Sequence, residues 1–371
     1  MTFGDQLRAL RESRGMTLRQ LADRSHHSKS KLSNWEHNRL PLPTRDEAVA
    51  LDSVLDADGT LLAAIQAPGL NGDRDRIAYV TDKPRAVDPT TITALHGALA
   101  NMRRLEDTLG AGRLLVITAE PLRLVEQLAD EAVGDLRPAV VDLAGQWSQF
   151  AGWLRAAAGR PDEAREKYVQ ALEHAEEVAA TSTLPTAADL IATALSMRGN
   201  LAWKARKPGP LVGLSAAAAA KSRSPGVRAM AAQQEARGHA LLGDGTAVDR
   251  LLEVAETLMA SAREHPDEEP PWIYFYSPGY LDMQRGLAFR LLGRRAAAIE
   301  ALTAGLEVAA GGEVAGAEFV ATYKLALAEA HLEGGNLDVA RRLLDEARAT
   351  VTATGSATLA GDVARVEARL P

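Results

Sequence analysis

Apolar positions near the start of the chain fall on the helical period. Phe3, Leu7 and Leu10 stand at i, i+4 and i+7, one face of a first helix that ends near Arg14-Gly15. Thr17 is placed to cap a second helix, with Leu18, Leu21 and Ala22 turned inward. Ser28 is placed to cap a third, with Leu32 and Trp35 as its buried pair. Asn38 follows as a left-handed stop, because Asn tolerates positive φ better than most residues. Pro41 and Pro43 break the chain, and Ala48, Leu51, Val54 and Leu55 supply a further helix. Such short helices bury little area each, and Trp35 makes the largest single contribution.

From Gln66 to Pro89 the periodicity fails. Pro68-Gly69, Asn71-Gly72 and Lys83-Pro84 read as a connector, which the sequence leaves open as an ordered arm or a flexible tether. Beyond Thr90 the pattern is helical again and repeats itself. After Gly159, small or apolar residues follow at +5, +9 and +12: Ala164, Tyr168 and Ala171. The same offsets give Val248, Leu252 and Ala255 after Gly243, Ala298, Leu302 and Gly305 after Gly293, and Ala340, Leu344 and Ala347 after Gly335. A weaker copy starts at Pro208, with Gly213, Ala217 and Ala220. The anchor would end one helix in a tight turn, and the small residue at +5 would let the next helix lie close to it.

Composition narrows the fold class to all-α. Aromatic residues make up only 4% of the chain, so the core must be built from Ala, Leu and Val, of which Ala and Leu are strong helix formers and poor strand formers. The absence of cysteine excludes disulfides, thiolate zinc sites and a cysteine nucleophile, and fits a reducing cytoplasm. Neither a basic-flanked apolar segment at the start nor an apolar stretch of membrane-spanning length is present, so the expectation is a cytoplasmic protein with no membrane partner.

The net charge of −7 argues at first against a nucleic-acid partner. Its distribution reverses that. Residues 1–45 hold nine Lys and Arg (Arg8, Arg11, Arg14, Arg19, Arg24, Lys29, Lys31, Arg39, Arg45) against four acids (Asp5, Glu12, Asp23, Glu36), a balance of +5. A small basic module joined to a large acidic body aims one end at a polyanion.

Residues 3–62 resemble the Xre/Cro-type helix-turn-helix family, also seen in phage repressors. The resemblance rests on Leu7-Arg8-Ala9-Leu10-Arg11, Gly15-Met16-Thr17, Leu21-Ala22, the run from Ser28 to Glu36, Arg39, and Pro41 with Pro43. It implies that the third helix enters the major groove by its N-terminal half. By position Lys29, Ser30 and Asn34 would then read base edges, with Ser28, Lys31 and Ser33 close by at the DNA backbone. Lys can donate to guanine O6 and N7, and Asn can pair bidentately with adenine. Arg19, Arg39 and Arg45 are better placed for phosphates, which set register but not sequence. Glu36 is expected to be structural, paired with an arginine of the first helix. The chain departs from the family where His26 and His27 occupy a turn that usually holds Gly and an apolar residue. Leu18 likewise replaces a Gln that usually contacts DNA. Turn or phosphate-facing roles are expected of the two histidines.

The repeating body resembles tetratricopeptide helix hairpins, although its anchors are spaced irregularly against that repeat's usual ~34 residues. Residues 136–175, with Trp147, Trp153 and Gly159, also look like the helical body of actinobacterial Xre-type regulators. A repressor-like reader joined to such repeats resembles the peptide-sensing regulators of Gram-positive bacteria. The expected architecture is therefore an N-terminal helix-turn-helix bundle (residues 1–67), a linker (68–90) and an α-solenoid of tetratricopeptide-like hairpins (91–371). Solenoids offer a concave face to partners. Candidate lining residues are Trp272, Tyr274, Phe275, Tyr276 and Tyr280, which are five of the sixteen aromatics gathered in nine residues. Aromatics bury much area with few torsions, but packing between two repeats is the preferred reading of this cluster. Asn200 and Trp203 form a second candidate, with packing again preferred.

No catalytic pattern stands out: there is no G-x-x-x-x-G-K-S/T, no G-x-G-x-x-G after a strand and no H-E-x-x-H. His96, His174, His239, His265 and His331 are scattered, so no metal, cofactor or enzymatic role is expected. The expectation is a DNA-binding transcriptional regulator that binds duplex DNA as a homodimer. Its repeat domain would take a peptide, small ligand or protein partner. The rival is a repeat-based adaptor without physiological DNA binding.

Overall fold

The computed structural model describes residues 3–37, 43–57, 59–61, 77–312 and 315–371, with the side chains of Arg45 and Asp46 left out. Every regular element among them is helical. The chain divides between Asp82 and Lys83 into two compact units. No helix among the described residues is long and apolar enough to cross a membrane.

The N-terminal unit begins with α1 (Phe3–Ser13), α2 (Leu18–Ser25), α3 (Lys29–Glu36) and α4 (Arg45–Leu55). Their boundaries follow from local chemistry. The Thr17 hydroxyl accepts the Gln20 backbone N–H at 3.3 Å, and the Gln20 side chain accepts the Thr17 N–H at 2.9 Å, a capping box that starts α2. Thr44 and Glu47 repeat the device at α4. Ser28 caps α3 by accepting the Lys31 N–H at 3.1 Å. Leu7, Leu21, Leu32, Leu51, Leu55 and Leu61 are fully buried together, and the Trp35 ring meets Phe3 edge-on at 6.4 Å.

Residues 77–82 are helical, Pro84–Ala86 form a single 3-10 turn, and Val80 is buried. The later part of the connector is thus ordered; Pro68 to Arg76 lie outside the described residues.

The larger unit opens with α5 (Pro89–Leu109), α6 (Ala111–Ile117) and α7 (Ala119–Glu131). Five hairpins follow: α8 (Arg137–Ala157) with α9 (Pro161–Thr181), α10 (Thr186–Lys204) with α11 (Pro208–Lys221), and α12 (Pro225–Leu242) with α13 (Gly245–Glu264). The last two are α14 (Pro278–Leu291) with α15 (Arg295–Ala310) and α16 (Glu318–Glu333) with α17 (Leu337–Thr354). A last helix, α18 (Ala357–Glu367), packs on α16 and α17. The first helices α8, α10, α12, α14, α16 and α18 touch in succession and form an inner layer. The second helices lie outside them, so this unit is an α-solenoid.

The glycine anchors behave as the spacing predicts. Gly159, Gly243, Gly293 and Gly335 adopt φ of 76°, 78°, 74° and 79° in the hairpin turns, a left-handed conformation that costs glycine nothing. The twelve residues at +5, +9 and +12 from them are all buried. The weak fifth copy is out of register. Gly213, Ala217 and Ala220, counted from Pro208, are all exposed. The left-handed residue of that hairpin is Arg206, at φ 53°, and counting from it gives Leu211, Ser215 and Ala218, each fully buried. A small residue seven positions before every anchor (Gly152, Gly199, Ala236, Gly286, Ala328) is buried too.

These small residues set how closely the paired helices approach. A Cβ on Gly286 would lie 2.5 Å from Leu302 Cγ, 2.8 Å from the Leu302 nitrogen and 2.9 Å from the Ala298 carbonyl oxygen. Backbone atoms cannot swing aside as a flexible side chain can. Gly286→Ala should therefore push α14 and α15 apart at a cost of about 1–3 kcal/mol. Gly361→Ala on α18, where the added methyl meets open space, should be neutral or stabilising by up to about 1 kcal/mol. Denaturant midpoints of the two variants check this, and equal midpoints would contradict it.

Candidate functional site

In the N-terminal unit, α2 and α3 are joined by a three-residue turn whose first residue, His26, takes φ 57°. His26 thus holds the left-handed place where glycine is the easier residue. His27 supplies the apolar contact, its ring meeting Trp35 edge-on at 5.4 Å. Burial, with the nearby Lys31 charge, pushes the His27 pKa down, and its Nε2 is buried without a partner. Both histidines are turn residues, and only exposed His26 stands free of the core.

Beyond the turn, Lys29 and Ser30 are exposed at the start of α3, while Ser33 and Asn34 are half-buried one turn on. Ser28 is exposed, but its hydroxyl is already used as the cap. Lys31 is less available than its position suggests. Its ammonium lies 2.5 Å from Glu47 Oε1 and 4.8 Å from the Trp35 ring centre, which makes it a strut between α3 and α4. The Glu47 carboxyl is held down to about 2 by that ammonium and by the Thr44 backbone.

Several of the other basic residues are also spent inside the unit. Arg11 grips Glu36 with two bonds, of 2.5 and 2.9 Å, and Arg14 donates to the Leu55 and Asp56 carbonyls at 2.9 and 2.6 Å. Arg8 pairs with Glu12. Within this unit, the exposed Lys and Arg residues without an ion pair among its described residues are Arg19, Arg24 and Lys29, which lie on the α2–turn–α3 segment. Arg45 opens α4, and Arg39 lies outside the described residues. The geometry leaves a polar helix end, edged by free positive charge, facing out from a buried frame.

The model of a family described as "Helix-turn-helix domain" matches residues 2–65. The chain carries a helix-turn-helix domain. That supports a DNA-binding regulator in general, and the matched residues enclose the frame just described. No curated protein matches the chain.

The larger unit holds a cavity of about 710 Å³. All six inner-layer helices line it, together with α5 and the segment between α13 and α14. Contacts of α5 with α17 and with residues 271–273 bring the beginning of the unit against its end. The connecting segment is tied across the interior. The Glu269 carboxylate accepts from the Ser224 hydroxyl and, at 3.1 Å, from the Gly226 N–H, while the Trp272 indole donates to the Thr193 hydroxyl at 2.9 Å.

Six of the seven residues singled out by sequence meet at this cavity: Asn200, Trp203, Trp272, Tyr274, Phe275 and Tyr280. Tyr276 does not. It packs between two clusters of hairpin core residues, and its hydroxyl is buried without a partner among the described residues. Trp272 serves both ends, being 4% exposed in the core yet present in the wall. The Tyr274 hydroxyl lies 2.7 Å from Asp107 Oδ2 and 3.0 Å from the Arg103 carbonyl, closing the cavity against α5.

The charged lining escaped sequence reasoning. Arg103, Glu106 and Arg237 are each buried and reach the wall from α5 and α12. The Glu106 carboxylate accepts from the Trp153 indole at 3.0 Å, yet burial pushes its pKa up to about 7. Burial lowers the Arg103 pKa to about 10 and lowers that of Arg237 as well. Arg103 and Glu106 share the buried face of α5, three residues apart, but no spacing ties them to Arg237, so the available signal was charge on otherwise apolar helix faces.

Proposed function

We propose that the protein is a non-enzymatic, sequence-specific transcriptional regulator of the Xre type. It binds duplex DNA as a homodimer through α3, and its solenoid receives an effector. One observation carries the reading: the exposed, polar N-terminal half of α3, edged by Arg19, Arg24 and Lys29, sits inside the segment that matches a helix-turn-helix domain. A single short recognition helix reads few base pairs, so useful specificity calls for two half-sites about one helical turn, roughly 34 Å, apart. The shared register of five hairpins, with a left-handed turn residue and buried positions at +5, +9 and +12, supports the tetratricopeptide likeness of the solenoid. A cavity walled by all six inner helices supports effector binding there. An effector acts by preferring one of two half-site spacings, which shifts DNA affinity.

Selection of bound duplexes from a random-sequence pool tests this reading. Paired half-sites should emerge. Asn34→Ala should relax base preference at one position of each half-site, a change of about 1–3 kcal/mol, because Asn makes the bidentate adenine contact. Arg19→Ala should weaken all sequences alike, as loss of a phosphate contact does. Recovery of no common sequence, or equal behaviour of both variants, would favour the adaptor.

A further inference from the structure

Two guanidinium groups in the wall of the solenoid cavity have no counter-charge. Arg103 is 5% exposed; its guanidinium makes no hydrogen bond or ion pair among the described residues and lies 5.9 Å from the Trp272 ring centre. Arg237 is equally buried and lies 4.8 Å from the Trp203 ring centre. It donates only to neutral groups, Asn200 Oδ1 at 3.3 Å and Gln234 Oε1 at 3.1 Å, and its Nε has no partner. Carboxylates do reach the same cavity. Glu329, however, is taken by Arg290 and Arg365 at 2.7 Å each, and Asp362 pairs with Arg365 at 3.4 Å. Glu106, Asp107 and Glu318 accept from the Trp153 indole and the Tyr274 and Ser356 hydroxyls; none of the five pairs with Arg103 or Arg237 among the described residues. A buried guanidinium lacking an anion is unfavourable unless something else supplies the charge. Buried polar atoms left unpaired in a native fold call for such an explanation.

The space in front of these groups fits a small molecule. About 710 Å³ lies within the range of pockets for drug-sized ligands, while an α-helix alone is 10–12 Å across. Tyr280, Phe319 and Trp153 supply flat apolar surface beside the cations. We propose that this cavity binds a small organic anion, a carboxylate or phosphate head on an aromatic or aliphatic body, with Arg237 and Arg103 holding the head. The inference rests on the effector-binding reading above and names the chemistry of that effector.

The test uses full-length protein and four probes: phenylacetate, indole-3-acetate, phenyl phosphate and the neutral phenylacetamide. Binding is followed by calorimetry and by fluorescence of the cavity tryptophans. The acids should bind at least tenfold tighter than the amide, since charge-assisted hydrogen bonds are about twice as strong as neutral ones. The ratio of phenyl phosphate to phenylacetate then tells which head is preferred. Arg237→Gln should lower the acid-to-amide ratio at least threefold, and the double variant Arg103→Gln with Arg237→Gln should bring acid and amide to parity. The melting temperature of Arg237→Gln without ligand should equal or exceed wild type, because an uncompensated buried charge has been removed. Saturable but equal binding of acid and amide would overturn the anion assignment and leave effector binding intact. Absence of saturable binding by every probe would overturn both. An acid preference unchanged from wild type in Arg237→Gln, or a lowered melting temperature of that variant, would make that arginine structural and overturn the proposal.

Discussion

Replacing Glu36 with Ala should unfold a large fraction of the N-terminal unit and abolish DNA retention. The Glu36 side chain is 3% exposed and that of Arg11 11%, and two bonds join them across α1 and α3. Arg11 also donates to the Met16 carbonyl at 2.8 Å, so one guanidinium ties the end of α1, the loop to α2 and α3 together. Removing Glu36 leaves Arg11 with only the more distant, exposed Glu12 at 3.4 Å as counter-charge, at a cost of up to about 3–5 kcal/mol. A domain of this size buries modest area and is marginal to begin with. Limited proteolysis should show the first 82 residues cleaved while the solenoid survives. Replacing both partners by hydrophobic residues, Arg11→Met with Glu36→Leu, should restore much of the protection, because a packed apolar pair carries no desolvation cost. If Glu36→Ala resists protease as wild type does, the pair is not what holds α3 in place.

The second large effect concerns pH. Glu106 has a folded-state pKa of about 7 against an ordinary value of 4.5, with burial as the leading cause. Between those values the folded chain holds a proton that the unfolded chain has released. The contribution of this residue to stability is therefore complete below pH 4.5 and is lost as pH rises through 7. At 1.36 kcal/mol per pH unit, the loss amounts to about 3 kcal/mol. Glu106→Gln keeps an oxygen to accept the Trp153 indole and removes the ionisation. Its stability should match wild type near pH 4.5 and exceed it by up to about 3 kcal/mol above pH 7. Denaturant unfolding across that range measures the difference, and parallel pH profiles would show that Glu106 is solvated or compensated.

Local patterns in the sequence carried the helices, and distant contacts did not show there. Thr17, Ser28 and the Leu32–Trp35 pair announced α2 and α3 because a cap and an apolar period are properties of neighbouring residues. The pairing of Glu36 with α1 was readable for a related reason: a carboxylate on a helix expected to face DNA needs a compensating charge, and Arg11 was at hand. Arg206 hid the fifth hairpin, since the left-handed turn residue there is not glycine and the count was started two residues late. His27 was misleading in a similar way, being polar by type but set edge-on against Trp35 as a core residue. The cavity gathers Arg103, Asn200, Arg237, Trp272 and Phe319 from five separate segments. The stacking of the inner helices, with α5 and the segment before α14 laid against them, brings them together, so no spacing along the chain could have named the set. The aromatic run 272–280 was visible as a cluster. Its division into core residues and cavity wall depended on how the segment crosses the interior.

The most direct test of the central claim is the affinity of the full-length protein for a selected duplex and for a scrambled one, measured by fluorescence anisotropy across a range of salt concentrations. The selected duplex should bind at least about 10³-fold tighter at physiological salt. Log affinity for both should fall linearly with log salt, as release of counterions from several phosphates requires. Equal affinity for the two duplexes, or retention that does not respond to salt, would contradict it.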